Sequence, residues 1–319
     1  MKRLVRIMVS IGWYMMPVIS VLPFVSCGGQ ALAKVAAERD TCVFTLPNPP
    51  AVLTGVAERA EYVAGHYWQG LDYANAAWLA DSAALEQVFV DWIPVLAQLS
   101  PDSRAKVAGT VITHGKGHPA MQLRLGELAE LYFHEPNSPY RSEELYIPIL
   151  HALVEVSHIK DIYKERYCYQ LEKALMNRPG THATDFAFVT REQRTQRLSD
   201  IRSDYVLLYF FNPDCHDCKR VAAYITASPV FSSLLEYKRL TVLAVYPDED
   251  LLVWKKHLYS MPEEWIVARY ANDADRKAYD LPAIPNLYLL NWEKKVIWKD
   301  ASAELIENWL RDEIQKLDK

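Results

Sequence analysis

The chain has 319 residues, half of them hydrophobic, and a formal net charge of −5 with a pI near 6.0. That length and apolar content suit two packed cores better than one. Lysines and arginines are interspersed with acids, so there is no basic stripe for nucleic acid, and neither common Gly-rich phosphate loop is present, which disfavours nucleotide chemistry.

The N-terminal stretch MKRLVRIMVSIGWYMMPVISVLPFVSC carries Lys2, Arg3 and Arg6 and then runs uncharged from Ile7 to Ser26. A basic n-region followed by an apolar h-region predicts a secretory signal over residues 1–26. Phe24-Val25-Ser26-Cys27 resembles a bacterial lipobox, which implies cleavage before Cys27 and lipidation of that cysteine, although Phe24 departs from the usual leucine. An uncleaved anchor is the other reading, with Pro17 and Pro23 interrupting the apolar run. Both place the rest of the chain outside the cytoplasm, where disulfides persist. The lipobox reading makes it a periplasm-facing lipoprotein held to the membrane by its N-terminal lipid. Residues 27–51, with Pro47, Pro49 and Pro50 near their end, read as a tether.

Residues 52–178 are helical in character. In EQVFVDWIPVLAQL, Val88, Trp92, Val95, Leu96 and Leu99 fall on one face, and Leu125, Leu128 and Tyr132 do so in LRLGELAELYF. Such stripes predict a bundle core. The breaks are LSPDS, HGKGHP and HEPNSPYRSEE, and in the last of these Ser142, followed by Glu143 and Glu144, should open a helix. His114 and His118 flank a Gly-rich break and read as a solvated loop. His66, Tyr67, Trp68 and Asp72 could line a groove, but an aromatic cluster of this kind is more often core.

From residue 179 to 319 strands and helices alternate. DFAFV, YVLLYFF (205–211), LTVLAVY (240–246), NLYLL (286–290) and KVIWKD (295–300) read as strands, with a helix beginning at CKRVAAYI, another at LLVWKKHL and a closing one from about Ser302. This predicts an α/β sheet with helices on both faces.

Setting Cys27 aside leaves Cys42, Cys168, Cys215 and Cys218. Cys168 lies in a helical run and reads as a buried free thiol, with a Cys42–Cys168 bridge as the alternative. Cys215 and Cys218 form a CxxC pair directly after the apolar strand YVLLYFF. The first cysteine is therefore expected at a helix N-terminus, where unsatisfied N–H groups favour a thiolate. The second, one turn on, can attack a mixed disulfide formed by the first. His216, if protonated, would favour that thiolate, as would Lys219 and Arg220, whereas Asp214 and Asp217 oppose it. Structural zinc is disfavoured because no second CxxC supplies the remaining ligands. A purely structural disulfide across so short a loop would contribute little stability. A redox pair is the favoured reading, and it requires no metal or organic cofactor.

The segment from Gly180 onwards resembles the thioredoxin fold, and within it the membrane-tethered TlpA- and ResA-like thiol-disulfide oxidoreductases. FFNPDCHDCK is similar to their active-site segment, which implies Cys215 as attacking and Cys218 as resolving cysteine. YDLPAIPNLYLLNWEKKVIWKD resembles their second signature, which implies a cis bond before Pro285 and pairing of the Ile284 backbone with a substrate peptide. Between these signatures WKKHLYSMPEEWIVARYANDADRKAYD corresponds to the insertion such proteins carry. Asp214 replaces the aromatic residue usual before the first cysteine, and the glycine usual in the turn after the first strand is missing from TREQRTQ. Asn212 stands where a peroxiredoxin would have threonine. The front half, through HYWQGLDYAN, YFHEPNSPYRSEELYIPIL and MNRPGTHATDF, resembles an uncharacterised helical domain that precedes thioredoxin-like domains in lipoproteins of Bacteroides-type bacteria.

The expected fold is thus an α/β thioredoxin-like C-terminal domain preceded by a mostly α-helical domain. The expected function is exchange with protein disulfides or dithiols, reset by an unidentified redox partner. The competing reading is a lipid-anchored adaptor of the cell envelope, whose thioredoxin-like part is a platform with little turnover.

Overall fold

A computed structural model describes residues 42–317. The expected signal peptide, Cys27 and the first part of the tether lie outside the described residues. The helical region contains α1 (Val56–His66), α2 (Ala77–Ala80), α3 (Ser82–Ala97), α4 (Pro101–Ala108), α5 (Thr110–Thr113), α6 (Pro119–Ala129), α7 (Glu143–Val154) and α8 (Asp161–Leu175).

Local chemistry sets these boundaries. Asp81 caps α3 by accepting the Ala84 N–H, Ser100 caps α4 with Pro101 at its first position, and Ser142 caps α7 by accepting the Leu145 N–H. On α3 the residues Leu85, Val88, Phe89, Trp92, Ile93 and Leu96 are buried, as the helical period requires. They meet Tyr67, Trp68 and Phe133 in one aromatic core. Tyr67 and Trp68 are therefore core residues, while His66 is half-buried and Asp72 exposed. The end of the expected tether is not free: Phe44 packs against Tyr67 in a tilted arrangement with ring centroids 4.9 Å apart. There the backbones of Thr45 and Gly70 approach so closely that a side-chain carbon on Gly70 would run into the Thr45 carbonyl oxygen.

Asn177 turns the chain out of α8 in a left-handed conformation, φ 51°. Beyond it lie β1 (Ala187–Thr190), β2 (Thr195–Arg197), β3 (Tyr205–Phe210), α9 (His216–Ala227), α10 (Pro229–Glu236), β4 (Leu240–Tyr246), α11 (Leu251–Lys256), β5 (Ile266–Tyr270), α12 (Asp273–Arg276), β6 (Asn286–Asn291), β7 (Val296–Lys299) and α13 (Ala303–Leu317). The strands form one seven-stranded sheet in the order β2-β1-β5-β4-β3-β6-β7. β3 and β4 run parallel, as do β4 and β5, while β6 is antiparallel to β3 with Phe210 opposite Asn286. In the β1–β2 turn, where the sequence lacks the family's glycine, Gln193 takes the left-handed conformation with φ 62°.

Two expectations are corrected here. The run IVARY, read as part of an insertion, is strand β5, wedged between β4 and β1. Helices were expected on both faces, but α9, α10, α11 and α13 contribute to the core on one face only. The core on the other face is rich in aromatic rings, with Phe186, Phe188, Tyr270, Tyr279 and Tyr288 packed in it.

A polar joint connects the two regions. The Lys299 ammonium donates to the carbonyls of Ala174 (3.2 Å) and Met176 (2.7 Å) and pairs with Glu143 at 2.6 Å. A cation is favourable at this helix C-terminus, which the α8 dipole makes negative. Buried Asn177 donates to the Ala278 carbonyl at 2.8 Å and accepts the Thr184 N–H at 2.7 Å.

Candidate active site

Strand β3 is apolar on both faces and ends in the centre of the sheet, so the turn that follows it emerges between β4 and β6. Asn212 shapes that turn. Its carbonyl accepts the Cys215 N–H at 3.1 Å, its side-chain oxygen accepts the Asp214 N–H at 2.8 Å, and its amide donates to Asp248 at 2.6 Å. Cys215 then caps α9: its sulfur accepts the Cys218 N–H at 3.1 Å. A thiol in this position occupies the place of a capping oxygen, facing the positive end of the helix.

The two sulfurs differ sharply in surroundings. Cys215 is half-buried and Cys218 fully buried, and both are free thiols. Burial first, and then the hydrogen bond with Cys215, push the Cys218 thiol up to about 12, with the Asn212 backbone opposing in part. Tyr209, beneath the helix, donates its hydroxyl to the Cys218 carbonyl at 2.6 Å. Burial holds the Tyr209 phenol well above its usual range, so it stays protonated.

The Ile284–Pro285 bond is cis, as expected. The Ile284 carbonyl oxygen lies 3.8 Å from the Cys215 sulfur, and the Ile284 N–H has no hydrogen-bond partner among the described residues. Four of the expected site residues, Cys215, Cys218, Ile284 and Pro285, therefore lie around one end of β3 and β6. His216 does not join them: its side chain is 93% exposed and lies 3.7 Å from Asp217. Arg220 likewise pairs with Asp217 at 3.2 Å. Cys27 lies outside the described residues. Cys168, expected buried, is exposed, and Cys42 is half-buried and unpaired. On α8 the inward stripe is Tyr167, Gln170 and Ala174, which turns Cys168 outwards.

One residue near the site had no sequence signal. His257, just after α11, lines a cavity of about 620 Å³ together with Cys218 and Lys219. Its Nε2 is buried without a hydrogen-bond partner among the described residues, 3.9 Å from the Asp214 carboxylate. Only the fold brings this histidine to the CxxC turn.

A model of a helical domain of unknown function, DUF5106, matches residues 26–177, and a thioredoxin-like model matches residues 203–296. The chain is similar to the crystal structure of a thioredoxin-like protein from Bacteroides caccae, at 35% identity and a TM-score of 0.81, over 84% of this chain and 98% of that one. The C-terminal domain of an uncharacterized protein from Bacteroides fragilis is 37% identical over 42% of this chain and 98% of its own, with a TM-score of 0.39. The thioredoxin domain of a thiol-disulfide oxidoreductase from Bacteroides vulgatus is 20% identical over 42% of this chain and 96% of its own, with a TM-score of 0.38. No curated protein matches the chain. With a helical domain of unknown function leading into a sheet whose strand β3 runs into the turn that sets Cys215 and Cys218 at the start of α9, the chain belongs to the thioredoxin-like proteins.

Proposed function

We propose that the protein is an extracytoplasmic thiol-disulfide oxidoreductase that acts on protein disulfides through Cys215 and Cys218. One observation carries this reading: the half-buried sulfur of Cys215 sits at the N-terminus of α9 within 3.1 Å of the Cys218 N–H, with its potential resolving partner buried one turn on.

The chemistry runs in two displacements. The Cys215 thiolate attacks one sulfur of a substrate disulfide, an S–S bond forms between enzyme and substrate, and the other substrate sulfur leaves as a thiolate that takes up a proton. Cys218 then loses its proton and attacks the Cys215 sulfur. The enzyme disulfide closes and the second substrate thiol is released, so two electrons have passed from enzyme to substrate. The reverse sequence oxidises a substrate dithiol, and the potential of the partner that resets the pair sets the direction. Ile284 and Pro285 dock the substrate: the unpaired Ile284 N–H and its carbonyl offer an extended chain a donor and an acceptor beside the reacting sulfur. No step needs a metal or organic cofactor. The basic and apolar N-terminus and Cys27 support a periplasm-facing, lipid-anchored location.

Insulin reduction by dithiothreitol tests the activity: the wild-type protein should accelerate precipitation of the insulin B chain, and Cys215→Ala should remove the acceleration. In the native host, Cys218→Ala should accumulate mixed disulfides with its substrates. A wild type that leaves the insulin rate unchanged, and a variant that traps nothing at normal abundance, would sink the reading in favour of an adaptor.

A further inference from the structure

Beside Pro285 lies a cleft of about 740 Å³ whose two walls come from the two domains. One wall is the loop between α6 and α7, through Pro136, Ser138 and Pro139. The other is the flank of α9, through Val221 and Tyr224, with Pro285 at the end nearest the CxxC turn. A cavity of this size lies in the range that holds a ligand of several side chains.

The helical-domain wall is fixed in place. Ser138 donates its hydroxyl to the Tyr132 carbonyl, the Ser142 N–H donates to the Phe133 carbonyl at 2.9 Å, and the Arg141 guanidinium donates to the His134 carbonyl at 3.2 Å. Arg141 also forms an ion pair with Asp300. Asp300 in turn accepts a 2.8 Å hydrogen bond from Asn286, the residue following Pro285. Three side chains, Arg141, Asp300 and Asn286, thus tie the loop to the segment proposed to dock substrate.

The occupant follows from the lining. Prolines, Val221, Leu287 and the ring of Tyr224 give it apolar surface, and Arg141, Arg220, Asp300 and Glu304 add charges of both signs, so about half of the lining is polar. The free N–H of Ile284 calls for a main-chain acceptor, which an extended segment supplies. We infer that the Pro136–Arg141 loop is one jaw of the substrate groove. The groove takes an extended segment of an unfolded or partly unfolded protein, with the side chain next to its reactive cysteine seated between the prolines and Tyr224, and the fixed jaw turns away disulfides held in folded domains. This inference rests on Cys215 as the attacking sulfur.

The test uses the full chain carrying Cys218→Ala, loaded with a disulfide peptide whose residue beside the cysteine is benzoylphenylalanine. After irradiation of the mixed disulfide, the expected crosslinks fall on residues 136–141 and 221–224. Crosslinks confined to residues 257–262, on the other side of α9, overturn the inference and leave attack by Cys215 intact. Failure to form any mixed disulfide removes the oxidoreductase reading and the jaw with it. As a second measurement, Ser138→Trp should lower kcat/KM for the apolar-flanked peptide about tenfold relative to a small aromatic disulfide, because the indole fills the cleft. An unchanged ratio in a variant that still exchanges with the small disulfide also overturns the inference.

Discussion

The sulfur of Cys215 lies 3.8 Å from the carbonyl oxygen of Ile284, a residue 69 positions further along the chain. The contact is made because β6 lies antiparallel to β3 with Asn286 opposite Phe210, which brings the start of one strand beside the turn that ends the other. Under the proposed reading, a substrate main chain held by Ile284 would meet the sulfur at the mouth of the turn and not the one beneath it. The asymmetry between the two cysteines would then decide which acts first.

That asymmetry is measurable by alkylation. The Cys218 thiol, pushed up to about 12 by burial and by its hydrogen bond with Cys215, holds its proton at neutral pH, and only thiolate reacts quickly. In the reduced native protein, iodoacetamide near neutral pH should label Cys215 and spare Cys218, as read by peptide mass spectrometry. The Cys218 rate should climb about tenfold per pH unit until pH approaches its raised value. The linked stability has a definite sign. A thiol whose folded value lies above its unfolded one, near 9, contributes stability below the unfolded value that is lost as pH rises through the folded value. Reduced protein should therefore lose stability between about pH 9 and pH 12, and part of that loss should disappear in Cys218→Ala. Equal labelling of both cysteines at neutral pH would contradict the assignment of attacker and resolver.

The joint between the domains gives a second expectation. Lys299 is 5% exposed and pairs with Glu143 while donating to the last carbonyls of α8. Replacing it with methionine keeps the side-chain length but leaves the Glu143 carboxylate with only Arg141, 3.8 Å away, as a cationic partner. The cost should fall below the roughly 3–5 kcal/mol of a buried pair broken from one side. The Lys299→Met protein should show a lowered midpoint in thermal unfolding, with partial recovery when Glu143→Gln removes the under-compensated charge. An unchanged midpoint would mean that solvent already screens this pair.

Much of the fold is legible where one residue pattern admits one structure. LTVLAVY is apolar throughout and forms β4 with the expected bounds, and Ser142 followed by two glutamates caps α7 as expected. The CxxC turn was readable because an apolar strand ends directly before it. Strand β5 was not, since Arg269 breaks its apolar run and its partner β1 is distant in sequence. The exposure of Cys168 could have been found by following the Tyr167, Gln170 and Ala174 stripe, which excludes it. The cleft beside Pro285 had no sequence signal at all. It depends on an ion pair between Arg141 and Asp300, which belong to different domains, and no local period encodes such a contact.

Gly70 offers a test of the segment that precedes the helical domain. Its missing side chain lets the Thr45 carbonyl approach, and any Cβ there meets backbone atoms that cannot move aside by a rotamer change. Gly70→Ala should cost about 1–3 kcal/mol, as overpacking does. The strain should be relieved by release of residues 42–48 and the contact between Phe44 and Tyr67. Limited proteolysis should then cut the variant near residue 45 well before the wild type. Equal cutting rates would show that the segment does not depend on this close approach.

The final expectation concerns how Cys218 loses its proton. Burial makes spontaneous ionisation rare near neutral pH, and Tyr209, although adjacent, is itself held protonated by burial. His257 shares the cavity over Cys218 with Lys219, and its buried Nε2 has no hydrogen-bond partner among the described residues. The Asp214 carboxylate lies 3.9 Å from Nε2. If the imidazole takes the Cys218 proton as the sulfur attacks the mixed disulfide, the same group can return it to the departing substrate thiolate. His257→Gln should lengthen the life of the mixed disulfide about tenfold or more near neutral pH, while the first attack by Cys215 is unchanged. In alkaline solution hydroxide replaces the imidazole, so the gap between variant and wild type should close. Rapid-quench measurement with a peptide disulfide separates the two steps. A variant slowed equally in both steps, or at all pH values, would mark His257 as a structural support of the α11 loop and not as the proton acceptor.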